Sequence, residues 1–106
     1  MGALFKMIVL LKKKSTLSAE RFAKYWLESH VPLARKMPGL RKYVVNVVRR
    51  PPNRDADYDG VVELWFDDVA SMKKAFTSPE GIATQRDTET FAANLTTLYI
   101  DEHPII

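Results

Sequence analysis

The sequence predicts an α+β domain whose elements follow one another in the order β-α-β-β-α-β. Four segments are rich in Val, Ile, Leu and aromatic residues, as strands are. Two other segments carry helix start signals, and the first of them continues with apolar residues on one face. Proline or glycine separates several of these elements. A chain of 106 residues is long enough for one core, so we expect a single domain over residues 1–106.

The first half of the chain supplies a strand, a helix and a second strand. Residues 3–12 read as the first strand, and Ser18 is a suitable helix N-cap. Pro32 should bend or restart the helix that follows, because proline cannot donate its backbone hydrogen bond. Pro38 and Gly39 end this helix, and residues 40–48 form the second strand, which the prolines at 51–52 interrupt. The apolar stripe of the helix consists of Phe22, Trp26, His30 and Leu33.

The second half repeats the pattern in the order strand, helix, strand. Residues 60–66 form the third strand, and Asp67 or Asp68 caps a short helix that runs to residue 76. Ser78 and Pro79 start a second helical segment that we expect to end near residue 94, followed by the last strand over residues 96–102. This order is the split-βαβ, ferredoxin-like arrangement, with a four-stranded antiparallel sheet and both helices on one face.

The face of the sheet away from the helices presents a packing problem. Val62, Leu64 and Phe66 alternate with Val61, Glu63 and Trp65 along the third strand, so both of its faces carry apolar side chains. Helices cover only one face, and monomers rarely expose a large apolar sheet surface. We therefore predict a homodimer in which two sheets pack face to face around a barrel-like core.

Composition narrows the class of protein further. Residues 1–54 carry 13 basic and 2 acidic side chains, a net +11, whereas residues 55–106 carry 3 basic and 11 acidic ones, a net −8. This asymmetry favours mutual attraction of the two halves over a nucleic-acid partner. The third strand also lacks the glycine and aromatic pattern of an RNA-binding sheet. No apolar run is long enough for a membrane span, and the absence of cysteine is typical of a reducing cytoplasm.

His30 is the main candidate for chemistry. An imidazole with a pKa near ~6.5 on an aromatic stripe is either a proton-transfer group or a core residue that hydrogen-bonds a carbonyl or carboxylate. Asp59 is one candidate carboxylate for this role, although an Asp before Gly is also common in turns. Tyr25, Trp26, Tyr43 and Trp65 are candidate walls of a small-molecule pocket, and the tyrosines could also relay protons.

Two further polar residues stand on strands that are otherwise apolar. Asn46 would orient a carbonyl or hydroxyl of a ligand, or hydrogen-bond within the sheet or interface. Glu63 is either a catalytic carboxylate or half of an ion pair, since an unpaired carboxylate there is costly. Its candidate ion-pair partners are Lys6, Lys12, Arg41 and Lys42. No metal site is predicted, because only two histidines and no cysteine are present. No phosphate loop points to a nucleotide or flavin, so no cofactor is expected.

These motifs resemble the EthD-like family of dimeric α+β barrel proteins over about residues 5–102. The matching segments are Phe22-x-x-Tyr25-Trp26-x-x-x-His30-Val31-Pro32-Leu33, Pro38-Gly39-Leu40-x-x-Tyr43-x-x-Asn46, Tyr58 to Phe66 and Ser78-Pro79-x-Gly81, with Asp87, Phe91 and Glu102 in familiar places. The resemblance implies a ferredoxin-like protomer, a dimeric barrel and a pocket between helices and sheet. It also implies that His30 is the acid/base candidate and that Tyr25, Trp26, Asn46, Asp59, Glu63 and Trp65 are pocket or interface residues.

The resemblance also implies a set of functions. Family members accompany ether-degrading cytochrome oxygenases, an oxidoreductase association, and relatives act on muconolactone-type rings or polyketides without a cofactor. We therefore expect a catabolic, cofactor-independent enzyme acting on a small cyclic or aromatic oxygenated metabolite. In it, His30 would move a proton and Asn46 or Tyr43 would polarise an oxygen. The alternative is a non-catalytic binding or accessory protein for a partner oxygenase, and a haem- or oxygen-utilising barrel is a third possibility.

Overall fold

Four antiparallel strands form the sheet of the structure, a computed structural model that describes residues 3–50 and 56–106. The strands are β1 (Phe5–Lys13), β2 (Lys42–Val47), β3 (Gly60–Phe66) and β4 (Ala92–Ile100). Their spatial order is β2-β3-β1-β4, and every neighbouring pair is antiparallel. This confirms the predicted ferredoxin-like fold. The predicted break at residues 51–53 lies outside the described residues.

Helices connect the strands, and side chains cap them where the sequence indicates. The first connection contains α1 (Ala19–Tyr25), one π-helical turn (Trp26–His30) and α2 (Val31–Ala34); the second contains α3 (Val69–Thr77) and α4 (Pro79–Phe91). The predicted caps are present: Ser18, Asp68 and Ser78 each accept a hydrogen bond from the backbone N–H three residues later.

The π-helical turn changes which side chains of the first connection reach the core. Pro32 stands at the start of α2, as its missing N–H requires. The N–H of Val31 bonds to the carbonyl of Trp26, five residues back, so one extra residue is accommodated before α2. The rotation that results buries Ala34, whereas Leu33 is only half-buried. The predicted stripe therefore holds for Phe22, Trp26 and His30 and shifts by one residue after them.

The boundary between α4 and β4 lies earlier than predicted. Helix α4 ends at Phe91, and Ala92 is already extended, with φ −113° and ψ 136°. Ala92 pairs with Lys13, and the N–H of Lys14 bonds to the Phe91 carbonyl at 3.1 Å. Pairing with the long strand β1 therefore overrides the helix propensity of the two alanines at 92–93.

Strand pairing assigns each side chain to one of two faces. Residues directly opposite one another in antiparallel strands share a face, so the pairs Met7–Leu64 and Val9–Val62 lie together on the helix side. The other side, called the open face below, carries four residues of β1, three of β3, three of β2 and four of β4. They are Lys6, Ile8, Leu10, Lys12, Val61, Glu63, Trp65, Lys42, Val44, Asn46, Asn94, Thr96, Leu98 and Ile100.

The core between sheet and helices depends on a close approach of Trp26 to Gly60. The indole of Trp26 is 1% exposed, and a Cβ atom at residue 60 would lie 2.2 Å from its Cζ3. Only glycine fits under this ring. The contact also holds Phe22 and Phe91 in place, with ring centroids 5.5 and 6.5 Å from that of Trp26.

Replacing Gly60 by alanine is expected to destabilise the fold by about 1–3 kcal/mol, because the core must be overpacked or the indole displaced. Chemical denaturation followed by circular dichroism measures the loss. The double variant with Trp26→Leu is the control, since removing the indole removes the clash. If Gly60→Ala costs the same free energy in both backgrounds, contact with Trp26 does not explain the glycine.

Candidate functional site

A cavity of about 240 Å³ lies between the helix side of the sheet and helix α4. Most of its lining is apolar, and its buried end contains Trp26 and His30. Its mouth opens between α4 and β4, where the exposed residues Gln85, Glu89 and Leu95 stand. The remaining lining residues are Met7, Val9, Leu11, Ala34, Met37, Tyr43, Val62, Leu64, Phe76, Thr84, Thr88 and Thr97.

His30 is fixed at the buried end by a carboxylate behind it. Its Nδ1 lies 2.8 Å from Oδ2 of Asp87 on α4. The hydroxyl of Tyr25 donates to the other oxygen of Asp87 at 2.6 Å, and Thr90 donates to the Tyr25 oxygen at 3.3 Å. The Phe91 ring lies beside the imidazole, with centroids 4.9 Å apart. These contacts determine both the position and the orientation of the ring.

The second ring nitrogen of His30 faces accessible space. Nδ1 carries the proton that bonds Asp87, so in the neutral ring Nε2 is an unprotonated acceptor. Nε2 makes no hydrogen bond with any residue that the structure describes. No buried side-chain nitrogen or oxygen of these residues is left without a partner, so Nε2 is not sealed off. Since His30 lines the cavity, this lone pair is available to a molecule bound there.

Burial shapes the protonation of two ionisable groups in the cavity wall, His30 and Tyr43. It lowers the pKa of His30 below its usual value, and the hydrogen bond to Asp87 opposes this shift without cancelling it. The imidazole is therefore neutral at pH 7, as a base must be. Burial raises the pKa of Tyr43 to about 12, with the nearby indole of Trp26 acting in the opposite direction. The Tyr43 hydroxyl is thus a proton-bearing hydrogen-bond donor.

Three residues predicted for the pocket or interface lie on the open face, away from His30. The amide of Asn46 donates to the Val61 carbonyl and to Glu63, and Glu63 forms an ion pair of 2.9 Å with Lys6. The indole of Trp65 donates to Glu102 at 3.0 Å. Lys6 is thus one of the cations that the sequence offers for Glu63. Asn46 lies on the opposite face of the sheet from the cavity, so it does not contact the same ligand as His30.

Asp59, the candidate carboxylate partner of His30, bonds elsewhere. It accepts a hydrogen bond of 2.8 Å from the backbone N–H of Lys13 and pairs with Arg50. These contacts tie the start of β3 to the end of β1. The carboxylate that holds His30 is instead Asp87, which sequence reasoning did not select for the site. Helical spacing would have found it, because Asp87 lies three residues after Thr84 and four before Phe91, both buried on the inner face of α4.

Two other classes of site find no candidates among the described residues. Residues 3–50 and 56–106 contain no group of three or more His, Asp or Glu side chains that would hold a metal ion. None of the helices in these ranges has the length and apolarity that a membrane span requires.

The chain belongs to the EthD domain family, whose pattern matches residues 14–94. A curated relative is an uncharacterized 11.0 kDa protein from the thcB–thcC intergenic region of Rhodococcus erythropolis. It is 26% identical over 86 residues, which cover 80% of this chain and 84% of the relative. The crystal structure of an EthD family protein from Bacillus halodurans superposes with a TM-score of 0.81 and 28% identity, covering 95% of this chain and all of that one.

More distant solved structures share the fold. A dimeric ferredoxin-like protein of unknown function from Bacteroides fragilis has a TM-score of 0.71 and 19% identity, covering 93% of this chain and 96% of its own. A hydroxynitrile lyase from Passiflora edulis has a TM-score of 0.72 and 18% identity, covering 94% and 95% of the two chains. The architecture is therefore used by at least one enzyme and by a dimeric protein.

The lowered pKa of His30 makes stability depend on pH. As pH falls below about 6.5, the unfolded chain takes up a proton at residue 30 before the folded chain does, so the free energy of unfolding falls. The decline ends once the folded His30 is also protonated. We expect urea unfolding between about pH 7 and pH 5 to show this loss, and a His30→Gln variant to show a flatter dependence.

His103 supplies the matched control, since it is exposed near the carboxyl end of the chain. His103→Gln should keep the wild-type dependence on pH. An equal slope in the wild type and in His30→Gln would contradict the buried, neutral state of His30.

Proposed function

We propose that the protein is a cofactor-independent proton-transfer enzyme acting on a small cyclic or aromatic oxygenated compound, with His30 as acid/base. The observation that carries the proposal is the position of His30, which lines a mainly apolar cavity while Asp87 holds its Nδ1. A carboxylate that fixes the tautomer and orientation of an imidazole is the arrangement that general-base histidines require.

In the proposed reaction His30 takes a proton from a carbon or hydroxyl next to the substrate carbonyl and returns it at another atom. Asp87 keeps Nε2 directed at the substrate and stabilises the imidazolium that forms, and Tyr25 holds Asp87. Tyr43, rather than Asn46, lines the same cavity and would donate a hydrogen bond to the substrate oxygen. Trp26 would form part of the wall against which the substrate ring packs.

Cavity size supports this class of substrate, and a neighbour with the same fold is an enzyme. An apolar cavity of about 150 Å³ holds benzene in an engineered protein, so 240 Å³ leaves room for one ring with oxygen substituents. Larger ligands need cavities above roughly 300 Å³. The hydroxynitrile lyase with the same fold is an enzyme, and a base that removes a hydroxyl proton is one use of a neutral imidazole in such a cavity.

Two assays with model compounds test for proton transfer, and neither requires the natural substrate to be known. One follows deuterium uptake at the α-carbons of cyclohexanone in D₂O by NMR, and the other follows release of benzaldehyde from mandelonitrile. We expect the wild type to accelerate at least one, and His30→Gln to lose roughly 10²–10⁴-fold in rate, the range that general acid-base catalysis supplies.

Glu63→Gln is the matched control, because Glu63 lies on the open face and its change leaves the cavity intact. It should keep the wild-type rate. A folded His30→Gln variant with full activity would exclude the catalytic role. A wild type that binds these compounds and accelerates neither reaction would favour a carrier or accessory protein, the alternative function. A partner oxygenase and a cytoplasmic location stay predictions from the sequence.

We also propose that the protein is a homodimer joined through the open face. Ile8, Leu10 and Val61 stand at the middle of this face without helices above them, and pairing two such faces would remove them from water. The dimeric protein from Bacteroides fragilis has the same fold. The ion pairs of Lys6 with Glu63 and Glu102 would then be enclosed together with their partners.

Sedimentation equilibrium at micromolar concentration should give twice the 12.1 kDa of one chain. Ile8→Lys should weaken the dimer roughly 100-fold or more, because it places a charge in the middle of the apolar face that the dimer would bury. Leu27→Lys is the control: Leu27 is 50% exposed on the helical layer, so its change should leave the mass unaltered. A wild-type mass of one chain would refute the proposal.

A further inference from the structure

The charges around the cavity are distributed in a way that bears on its ligand. No lysine or arginine is among its described lining residues, although the chain contains 16 of them. Two basic residues of β1, Lys6 and Lys12, project to the open face. The described part of the cavity wall thus offers no cation to a ligand that carries a carboxylate or phosphate.

Among the lining residues that the structure describes, Glu89 at the mouth is the one charged side chain. It follows Gln85 by four residues on α4, so both point to the same side of the helix. Glu89 forms no hydrogen bond or ion pair with the described part of the chain, and its carboxylate is exposed. A ligand passes this negative charge on its way to His30.

The buried end adds no compensating positive charge. His30 is uncharged at pH 7, and the carboxyl group behind it belongs to Asp87. An anionic ligand would lose its hydration there and gain no opposite charge, only a neutral donor such as the Tyr43 hydroxyl. A cationic ligand would find an opposite charge only in Glu89 at the mouth. Its charged group would then stay at the mouth, away from His30 at the buried end.

We infer that the cavity selects uncharged ligands: a neutral monocyclic compound with its oxygen at the buried end and no carboxylate or phosphate. The inference depends on the proposed function only in taking the cavity as the ligand site, and it holds whether or not turnover occurs. It excludes acids, acyl phosphates and nucleotide conjugates as substrates, and favours ketones, aldehydes, phenols, cyanohydrins and simple lactones.

Three probes of nearly equal shape and different charge test this selection. Benzamide is neutral, benzoate is an anion and benzamidinium is a cation at pH 7. Binding is followed by NMR through the indole N–H signals, since Trp26 lines the cavity and Trp65 lies on the open face bonded to Glu102. Trp65→Phe assigns the two signals.

Benzamide should shift the Trp26 signal, leave that of Trp65 unchanged and bind at least tenfold more tightly than either ion. Glu89→Gln should improve benzoate binding several-fold and change benzamide affinity less than twofold, because only the charge at the mouth has been altered. Glu28→Gln removes the same charge from an exposed position outside the cavity lining and should change neither affinity.

Benzoate or benzamidinium binding as tightly as benzamide at the Trp26 signal would overturn the inference. So would the absence of any shift with benzamide up to millimolar concentration, or an unchanged benzoate affinity in Glu89→Gln. Failure of the proposed function has a different result: benzamide binds the wild type and His30→Gln alike, the charge preference is present, and neither deuterium exchange nor mandelonitrile cleavage is accelerated.

Discussion

The hydrogen bond between His30 and Asp87 is the interaction on which the arrangement of the helical layer around the cavity depends. It joins the π-helical turn of the first connection to α4 of the second, across 57 residues of sequence. Tyr25 and Thr90 extend the link on the side away from the cavity. The Nδ1 nitrogen of the imidazole therefore holds two helices together, while Nε2 has no partner among the described residues. The structural and catalytic interpretations of this histidine are compatible, because they use different atoms of the ring.

The fold could be predicted from the sequence because side chains alternate between the two faces of each strand, which determines the face that packs against the helices. Val62, Leu64 and Phe66 face the helices, and Glu63 faces away, as a period of two residues requires. The caps at Ser18, Asp68 and Ser78 followed from local chemistry. The π-helical turn could not be predicted in this way, because shifting one hydrogen bond requires no particular residue type. Strand β4 begins earlier than predicted because its long-range pairing with β1 outweighs local helix propensity.

The site was predicted less completely, and the reason is also physical. Sequence spacing places residues on one face of one element, and it selects Trp26 and His30 in that way. Which carboxylate meets His30 depends on how two helices pack, which spacing alone does not determine. Asn46, Glu63 and Trp65 belong to a hydrogen-bonded network on the far side of the sheet, which Lys6 and Glu102 complete. Each layer of the fold thus has polar residues of its own.

The corner between α3 and α4 affects the site because it sets the direction of α4, and so the position of Asp87. Gly81 packs so closely against α3 that a Cβ there would lie 2.0 Å from the Ala75 carbonyl oxygen, and Ser78 closes α3 and caps α4. This contact sets the direction in which α4 leaves the corner. Asp87 stands six residues further on, about 9 Å along the axis at 1.5 Å per residue. A tilt of roughly 10° at the corner would move its carboxylate by about 1.5 Å, enough to break a hydrogen bond of 2.8 Å. The alignment of the imidazole is therefore set in part by a glycine that never touches it.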